Sequence, residues 1–125
     1  MIVTDLSNSF NPYPKGQKIQ KKRQKKRDEE FCIMPESILY SNKRFKGSER
    51  HEIFEGRTGN RDKSIEDGLV IFITPIDHRE GKNSVHKDPK NKRWVEIRKI
   101  AQKVWMEYYH KTKEEFKQRY GRNYL

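Results

Sequence analysis

The chain has 125 residues, and its 29 Lys and Arg outweigh 18 Asp and Glu to give a formal net charge of +11. This length allows one domain at most, and a hydrophobic fraction of 31% with a mean hydropathy of -1.23 is low for a chain that folds throughout. The charge favours an anionic partner, nucleic acid first, because Lys and Arg release the counterions condensed on a polyphosphate.

Other features of the composition narrow the class of protein. No stretch approaches the roughly 20 apolar residues of a membrane-spanning helix, and the N-terminus lacks the basic start and apolar run of a signal peptide. The single cysteine, Cys32, excludes an internal disulfide and any zinc site built from two or more cysteines. We therefore expect a cytoplasmic protein without a membrane partner.

Residues 1–30 are predicted to form a disordered basic arm. They are rich in Asn, Ser, Pro, Gln and Lys, and they offer too little apolar surface to offset the entropy cost of ordering. The arm is expected to attract phosphates without sequence preference, and the alternative is a solvated tail that aids solubility. Its candidate nucleic-acid contacts are Lys18, Lys21, Lys22, Arg23, Lys25, Lys26 and Arg27. The remaining residues, 31–125, are predicted to form one folded domain.

Two strands are predicted in the centre of the chain. The run 69–73 is β-branched and aromatic with turn residues on both sides, which predicts a strand buried on both faces. A weaker strand is expected around 50–55, and between the two strands Asn60 is expected to cap a helical turn that ends at Gly68. Upstream, the apolar segment 31–40 is expected to join this unit to the core.

Two helices are predicted in the C-terminal third. Apolar residues recur at intervals of three and four over residues 92–110, which indicates an amphipathic helix packed on the core. These residues are Trp94, Ile97, Ile100, Ala101, Val104, Trp105 and Tyr108. A second helix is expected to begin at Thr112, since Thr112 and Glu115 have the spacing of a capping box. Phe116 and Tyr120 would then face inward.

Three of the four histidines fall around the two predicted strands. Antiparallel pairing would bring His51 near His78, and the loop beyond His78 can fold His86 back toward the same point. Neutral imidazoles hold divalent metal ions, and imidazole is also a natural general base near neutral pH. Taken alone, this spacing fits either a metal site or scattered surface histidines. The fourth, His110, lies near the end of the long helix, where a cation interacts well with the helix dipole.

An ordered succession of short motifs runs from Ser37 to the C-terminus. In chain order they are RHEIF at 50–54, GNRDKSI at 59–65, GLV at 68–70, Pro75, His78, VH at 85–86, Phe116 and YGRNYL at 120–125. This succession resembles the small HNH-type nucleases of phages and prophages, some of which are recombination-associated. The resemblance implies an α+β fold in which a ββα-metal core, a β-hairpin and a helix, clasps one divalent ion against the DNA backbone.

The resemblance also implies roles for individual residues. His51, His78 and His86 match metal-ligand positions for one divalent ion, which could be Mg, Mn, Ni or Zn. Glu52 takes the place where many HNH enzymes carry the general-base histidine, and Asn60 is an orienting residue. Whether His51 or Glu52 activates the attacking water stays open, because a carboxylate is a weaker base than imidazole and Glu52 could instead ligate the ion.

The implied function is that of a metal-dependent, phage-derived endonuclease, which hydrolyses DNA phosphodiester bonds in the cytoplasm of a bacterial host. Arg50 and Arg61 would join the basic arm in contacting DNA, and phage or host recombination proteins are candidate further partners. The alternative is a noncatalytic nucleic-acid-binding protein on a degenerate HNH scaffold.

The sequence departs from the family at the residues that usually hold a structural zinc. Related sequences carry a Cys-x-x-Cys knuckle before the Arg50-His51 strand, where residues 42–48 stand here. They also carry a Cys-x-x-His pair after the second strand, where Thr74 and Asp77 stand here. We therefore expect no structural zinc. The tryptophan-bearing helix must supply stability that the zinc would otherwise contribute.

Overall fold

The computed structural model describes residues 31–56 and 59–125, so the predicted basic arm and its seven candidate contacts lie outside the described residues. The described part combines helices with a small antiparallel sheet, which confirms the α+β class. Its elements in chain order are β1 (Glu49–Glu52), α1 (Asn60–Asp67), β2 (Val70–Ile73), a π-helical turn (Ile76–Glu80), α2 (Lys92–Tyr109) and α3 (Lys113–Tyr120). None of these helices is long and apolar enough to cross a membrane.

Strand β2 lies at the centre of the sheet. It pairs with β1 in an antiparallel register that places His51 opposite Ile71. On its other edge, Phe72 exchanges two backbone hydrogen bonds with Ser41, of 2.8 and 3.2 Å. All four residues of β2 are buried, as the apolar run predicted. Strand β1 is shorter than the predicted 50–55, because the chain bends away from the ladder after Glu52.

Helix α1 connects the two strands, and its boundaries are set by glycines. Gly59 precedes it with a left-handed backbone and no side-chain cap, so the prediction that Asn60 caps the helix is wrong: Asn60 is its first residue. Gly68 ends the helix as predicted, at φ 79°. A Cβ atom at Gly68 would lie 2.9 Å from Cε2 of Phe31, so both the backbone angle and the packing require glycine.

Helix α2 packs on the core through Trp94, Ile97, Ala101 and Trp105, as the stripe predicted. Tyr108 was predicted to belong to the buried stripe, but it is 54% exposed, because its neighbour Tyr109 takes the core-facing position in the last turn of the helix. The capping box of α3 is confirmed: the Thr112 hydroxyl accepts a hydrogen bond from the Glu115 amide, and the Glu115 carboxylate accepts one from the Thr112 amide. Phe116 and Tyr120 of α3 are buried, as expected, and Gly121 ends the helix.

An aromatic cluster joins the C-terminal helices to the bend after β1. The ring of Phe116 lies 4.7 to 5.3 Å, between centroids, from the rings of Phe54, Trp105 and Tyr120.

Segment 31–40 contributes buried Met34 and Tyr40, which confirms the predicted anchor, but Ile38 is fully exposed. Ile38 lies within the turn closed by the bridge between Ser37 and Tyr40, so it points away from the body.

Candidate metal centre

The structure brings together the three histidines that the sequence singled out. One potential ligand nitrogen from each of His51, His78 and His86 lies within 4.8 Å of the others. We call these three residues the histidine cluster. His51 is buried on β1, His78 is half-buried in the π-helical turn, and His86 is exposed in the following loop. Three separate segments of the chain thus converge on one point.

Backbone hydrogen bonds hold His78 and His86 side by side. The amide of Gly81 donates to the carbonyl of Ile76 at 2.9 Å and closes the π-helical turn around His78. The amide of His86 then donates to the carbonyl of His78 at 3.2 Å, and Val85 bonds in the same way to Asp77 at 2.9 Å. A π-helical turn is rare and occurs often at functional sites. Here it sets the direction of the His78 ring.

Glu49 orients His78, a role that the sequence analysis missed. Nδ1 of His78 lies 2.8 Å from Oε1 of Glu49, and Arg79 donates hydrogen bonds to both carboxylate oxygens, at 3.1 and 2.7 Å. Hydrogen bonds from Arg79 and from His78 lower the pKa of Glu49 to about 2, so the group is a carboxylate at neutral pH. It therefore accepts the Nδ1 proton of His78 and leaves a lone pair on Nε2. That Nε2 atom lies 3.1 Å from Nε2 of His86.

His51 has a buried nitrogen that no protein group satisfies. Its side chain is 5% exposed, and Nδ1 lies 3.2 Å from Oε2 of Glu55 without the alignment of a hydrogen bond. Burial, and next to it the charges of His78 and His86, lowers the pKa of His51 to about 3. The ring is therefore neutral at physiological pH and able to donate a lone pair. An unsatisfied buried polar atom is costly, which calls for a functional explanation.

Glu55 is a second residue that the sequence analysis missed. Its Oε2 atom lies 3.2 Å from Nδ1 of His51 and 3.9 Å from Nε2 of His86. The bend after β1 carries this side chain back to the histidine cluster, and it keeps partial contact with solvent at 29% exposure. No sequence periodicity predicts that the chain brings Glu55 back to the histidines. Glu49, by contrast, could have been predicted, because it stands two residues before His51 and alternate strand residues share a face.

The other predicted site residues make different contacts. Glu52 follows His51 on β1, so its side chain takes the opposite face, where it pairs with Arg50 at 3.1 Å and Arg61 at 3.4 Å. Asn60 donates to the backbone carbonyl of Tyr120 at 3.1 Å and thereby ties α1 to α3, while its Oδ1 atom is buried without a partner. Arg61 is 62% exposed, and its guanidinium lies between two carboxylates, 3.4 Å from Glu52 and 4.0 Å from Glu55.

The geometry and chemistry of the histidine cluster suit a metal ion. Metal–nitrogen bonds of about 2.0 to 2.1 Å place two ligand nitrogens roughly 3 to 3.5 Å apart. The distance of 3.1 Å between Nε2 of His78 and Nε2 of His86 already fits this range. The ligand nitrogens of all three histidines lie within 4.8 Å of one another, so a shift of about one ångström in a side chain would bring them to bonding distance of one ion. Neutral imidazoles with an adjacent carboxylate suit Zn, Ni or Mn. The cluster can therefore hold a metal ion.

Comparison of the chain with protein-family models, with curated proteins and with solved structures found no match. What is known of this site thus rests on its own residues and their geometry.

Proposed function

We propose that the protein is a metal-dependent, HNH-like endonuclease that hydrolyses DNA phosphodiester bonds. The observation that carries the proposal is the convergence of His51, His78 and His86 within 4.8 Å, with one unsatisfied buried nitrogen among them. Two carboxylates complete the site: Glu49 orients His78, and Glu55 stands beside His51 and His86. The net charge of +11 supports a polyphosphate substrate.

The proposal includes a ββα-metal core. Strands β1 and β2 supply the antiparallel strand pair, with α1 between them in the chain, and the π-helical turn with its loop supplies the second and third histidines. Helix α2 follows that loop, and one hydrophobic cluster joins its Trp94 and Ile97 to Ile71 and Ile73 of β2. The sheet and helix therefore form one rigid support for the histidine cluster. Such support is what a catalytic constellation needs, because misplacement by one ångström can cost much of the rate.

A bound divalent ion would neutralise charge on the scissile phosphate and lower the pKa of water. In the proposed mechanism, His78 and His51 present ring nitrogens to the site; Glu49 orients the ring of His78, and burial keeps the ring of His51 neutral. Oε2 of Glu55 accepts a proton from the attacking water as the new P–O bond forms and the bond to the leaving oxygen breaks. Glu55 is the proposed base in place of Glu52, because Oε2 of Glu55 lies 3.2 Å from Nδ1 of His51, whereas the side chain of Glu52 takes the opposite face of β1 and pairs with Arg50.

Nicking of supercoiled plasmid tests this function. The purified protein is incubated with Mg, Mn, Ni or Zn, or with chelator, beside two histidine variants. His78→Ala removes the oriented nitrogen, while His110→Asn is the matched control, since His110 ends α2 at φ 56° and Asn tolerates that conformation.

We expect metal-dependent nicking by the wild type and by His110→Asn, and its loss in His78→Ala with DNA binding retained. Nicking by His78→Ala at the wild-type rate would reject the site. DNA binding without cleavage under every metal would replace the nuclease by a noncatalytic nucleic-acid-binding protein on the same scaffold.

A further inference from the structure

A cavity of about 320 Å³ opens directly beside the histidine cluster. His51 and His86 form one side of it, and Val85, Pro89, Arg98 and Tyr124 contribute to the rest. Its volume is at the lower end of the roughly 300 to 1,000 Å³ of small-molecule sites, so it has room for one nucleotide-sized group. Its walls combine the guanidinium of Arg98 and the carboxylate of Glu55 with apolar and aromatic surface, and a surface that contacts only the DNA backbone does not need the aromatic part.

Arg98 contributes to this cavity a guanidinium most of whose N–H donors have no hydrogen-bond acceptor among the described residues. It projects from α2, is half-buried, and donates one hydrogen bond from Nη2 to the carbonyl of Pro89 at 2.9 Å. This is its only hydrogen bond within the part of the chain that the structure describes. Arg98 and His51 line the same cavity, so the guanidinium faces the space beside the histidine cluster. A guanidinium has five N–H donors in a planar fork that matches two phosphate oxygens.

Tyr124 supplies an aromatic face that the C-terminal tail holds in place. The fully buried Gln102 fixes the tail: its Oε1 accepts from the Tyr124 amide at 2.7 Å, and its Nε2 donates to Oδ1 of Asn123 at 2.8 Å. The Tyr124 ring is half-buried, with its centroid 5.0 Å from that of Phe54. The guanidinium carbon of Arg122 lies over one face of this ring, 5.0 Å from its centroid, so a base would stack on the opposite face, and the fixed ring keeps the entropy cost small.

We propose that this cavity binds one nucleotide adjoining the scissile phosphate, with Arg98 on its phosphate and Tyr124 on its base. The inference rests on the proposed function and adds the substrate class to it. A base in a duplex is stacked and paired, so only an unpaired nucleotide can enter the cavity. The preferred substrate is therefore DNA with an unpaired nucleotide at the cleavage position, as in a single strand, a flap or a gap.

Two chromogenic phosphodiesters separate the nucleoside contribution from that of the phosphate. Thymidine 5′-(4-nitrophenyl phosphate) carries a base, and methyl 4-nitrophenyl phosphate does not, while both release the same nitrophenolate. We expect Tyr124→Ala to raise the KM of the thymidine ester about fivefold to 100-fold more than that of the methyl ester. Arg98→Gln should raise both KM values alike. Tyr108→Ala, which alters an exposed tyrosine on α2, is the control and should change neither.

Equal KM changes for the two esters in Tyr124→Ala would overturn the inference while leaving the nuclease proposal intact. Because Tyr124→Ala could loosen the tail, Tyr124→Phe is measured beside it and should keep the wild-type KM ratio. If the wild type hydrolyses neither ester with any metal, the nuclease proposal fails. Titration of thymidine 5′-phosphate, followed by NMR, then decides the inference alone: weaker binding to Tyr124→Ala supports the nucleotide site, and equal binding refutes it.

Discussion

Two polar clusters lie within a few residues of the same sheet, and they differ in whether the hydrogen bonds of their buried atoms are complete. The first is the histidine cluster, where Nδ1 of His51 is buried without a hydrogen-bond partner. The second surrounds Asp67, at the end of α1. Oδ2 of Asp67 accepts hydrogen bonds from Trp105 at 2.8 Å, Arg119 at 2.6 Å and Tyr120 at 2.7 Å, and Oδ1 accepts a fourth from Arg119 at 3.0 Å.

This difference separates a structural role from a ligand-binding role. Every oxygen of Asp67 accepts a hydrogen bond. Burial, and after it the charge of Asp67, raises the pKa of Tyr109 to about 12, so the Tyr109 hydroxyl stays protonated and donates to the backbone carbonyl of Asp67. A complete network ties α1 to both C-terminal helices and leaves nothing for a ligand to satisfy. A cavity of about 520 Å³ beside Asp67 is larger than the one beside the histidines. Convergent histidines with an unsatisfied nitrogen, more than cavity size, are therefore the ground on which we propose the histidine cluster as the functional region.

Breaking the complete network should have the largest effect on stability. We expect Asp67→Ala to lower the free energy of unfolding by about 3 to 5 kcal/mol, because it leaves Arg119 and the donors of Trp105 and Tyr120 without their common acceptor. Urea denaturation measures the loss. The control is Glu66→Ala, which removes the neighbouring carboxylate, 3.3 Å from Arg119 at the surface, and should cost at most about 1 kcal/mol. Equal losses in the two variants would contradict the structural role of Asp67.

Binding of a metal ion to the histidine cluster should stabilise the protein. A metal ion at 100 times its dissociation constant adds about 2.7 kcal/mol to the free energy of unfolding if it binds only the folded state. Thermal unfolding with Zn or Mn against chelator should show this gain in the wild type and lose it in His78→Ala. The same gain in His78→Ala would place the binding elsewhere on the chain.

Glu49→Gln tests the orientation of the histidine cluster without removing a ligand. The amide cannot hold the His78 proton as a carboxylate does, so we expect metal affinity, measured by titration calorimetry, to fall about 10-fold to 100-fold. Glu80→Gln alters an exposed carboxylate on the same π-helical turn and should leave the affinity unchanged. Similar affinities for both variants and the wild type would show that Glu49 has no orienting role.

The smallest effect is expected far from both clusters. Thr112→Ala removes the side-chain half of the capping box on α3 and should cost about 1 kcal/mol of folding free energy. Metal affinity should not change. A loss of metal affinity in this variant would mean that the histidine cluster depends on the C-terminal helix more than the contacts indicate.

The sequence predicted the parts of the molecule that local patterns determine. The apolar run of β2, the buried stripe of α2 and the capping box at Thr112 and Glu115 are read from spacing and residue type alone, and the structure confirms them. The convergence of three histidines followed from the predicted antiparallel pairing. The prediction for Tyr108 was wrong because spacing alone does not show which of two adjacent tyrosines, Tyr108 or Tyr109, faces the core.

Residues brought in by irregular backbone could not be predicted in the same way. Glu55 reaches the histidine cluster through the bend after β1, and the π-helical turn that orients His78 has no sequence period of its own. The hydrogen bonds of Asp67 join residues 38 to 53 positions apart, which only the assembled fold brings together. Glu49, by contrast, shares a strand face with His51 and could have been found by alternation.

The most direct test of the central claim is anomalous diffraction from crystals grown with zinc as the probe ion. If the histidine cluster is a metal centre, we expect one strong peak at about 2.0 to 2.1 Å from a nitrogen of each of His51, His78 and His86. A peak bound to one histidine only, or found at His110 or on the surface, would show that the cluster is not a metal centre. The proposed nuclease mechanism would then fail with it.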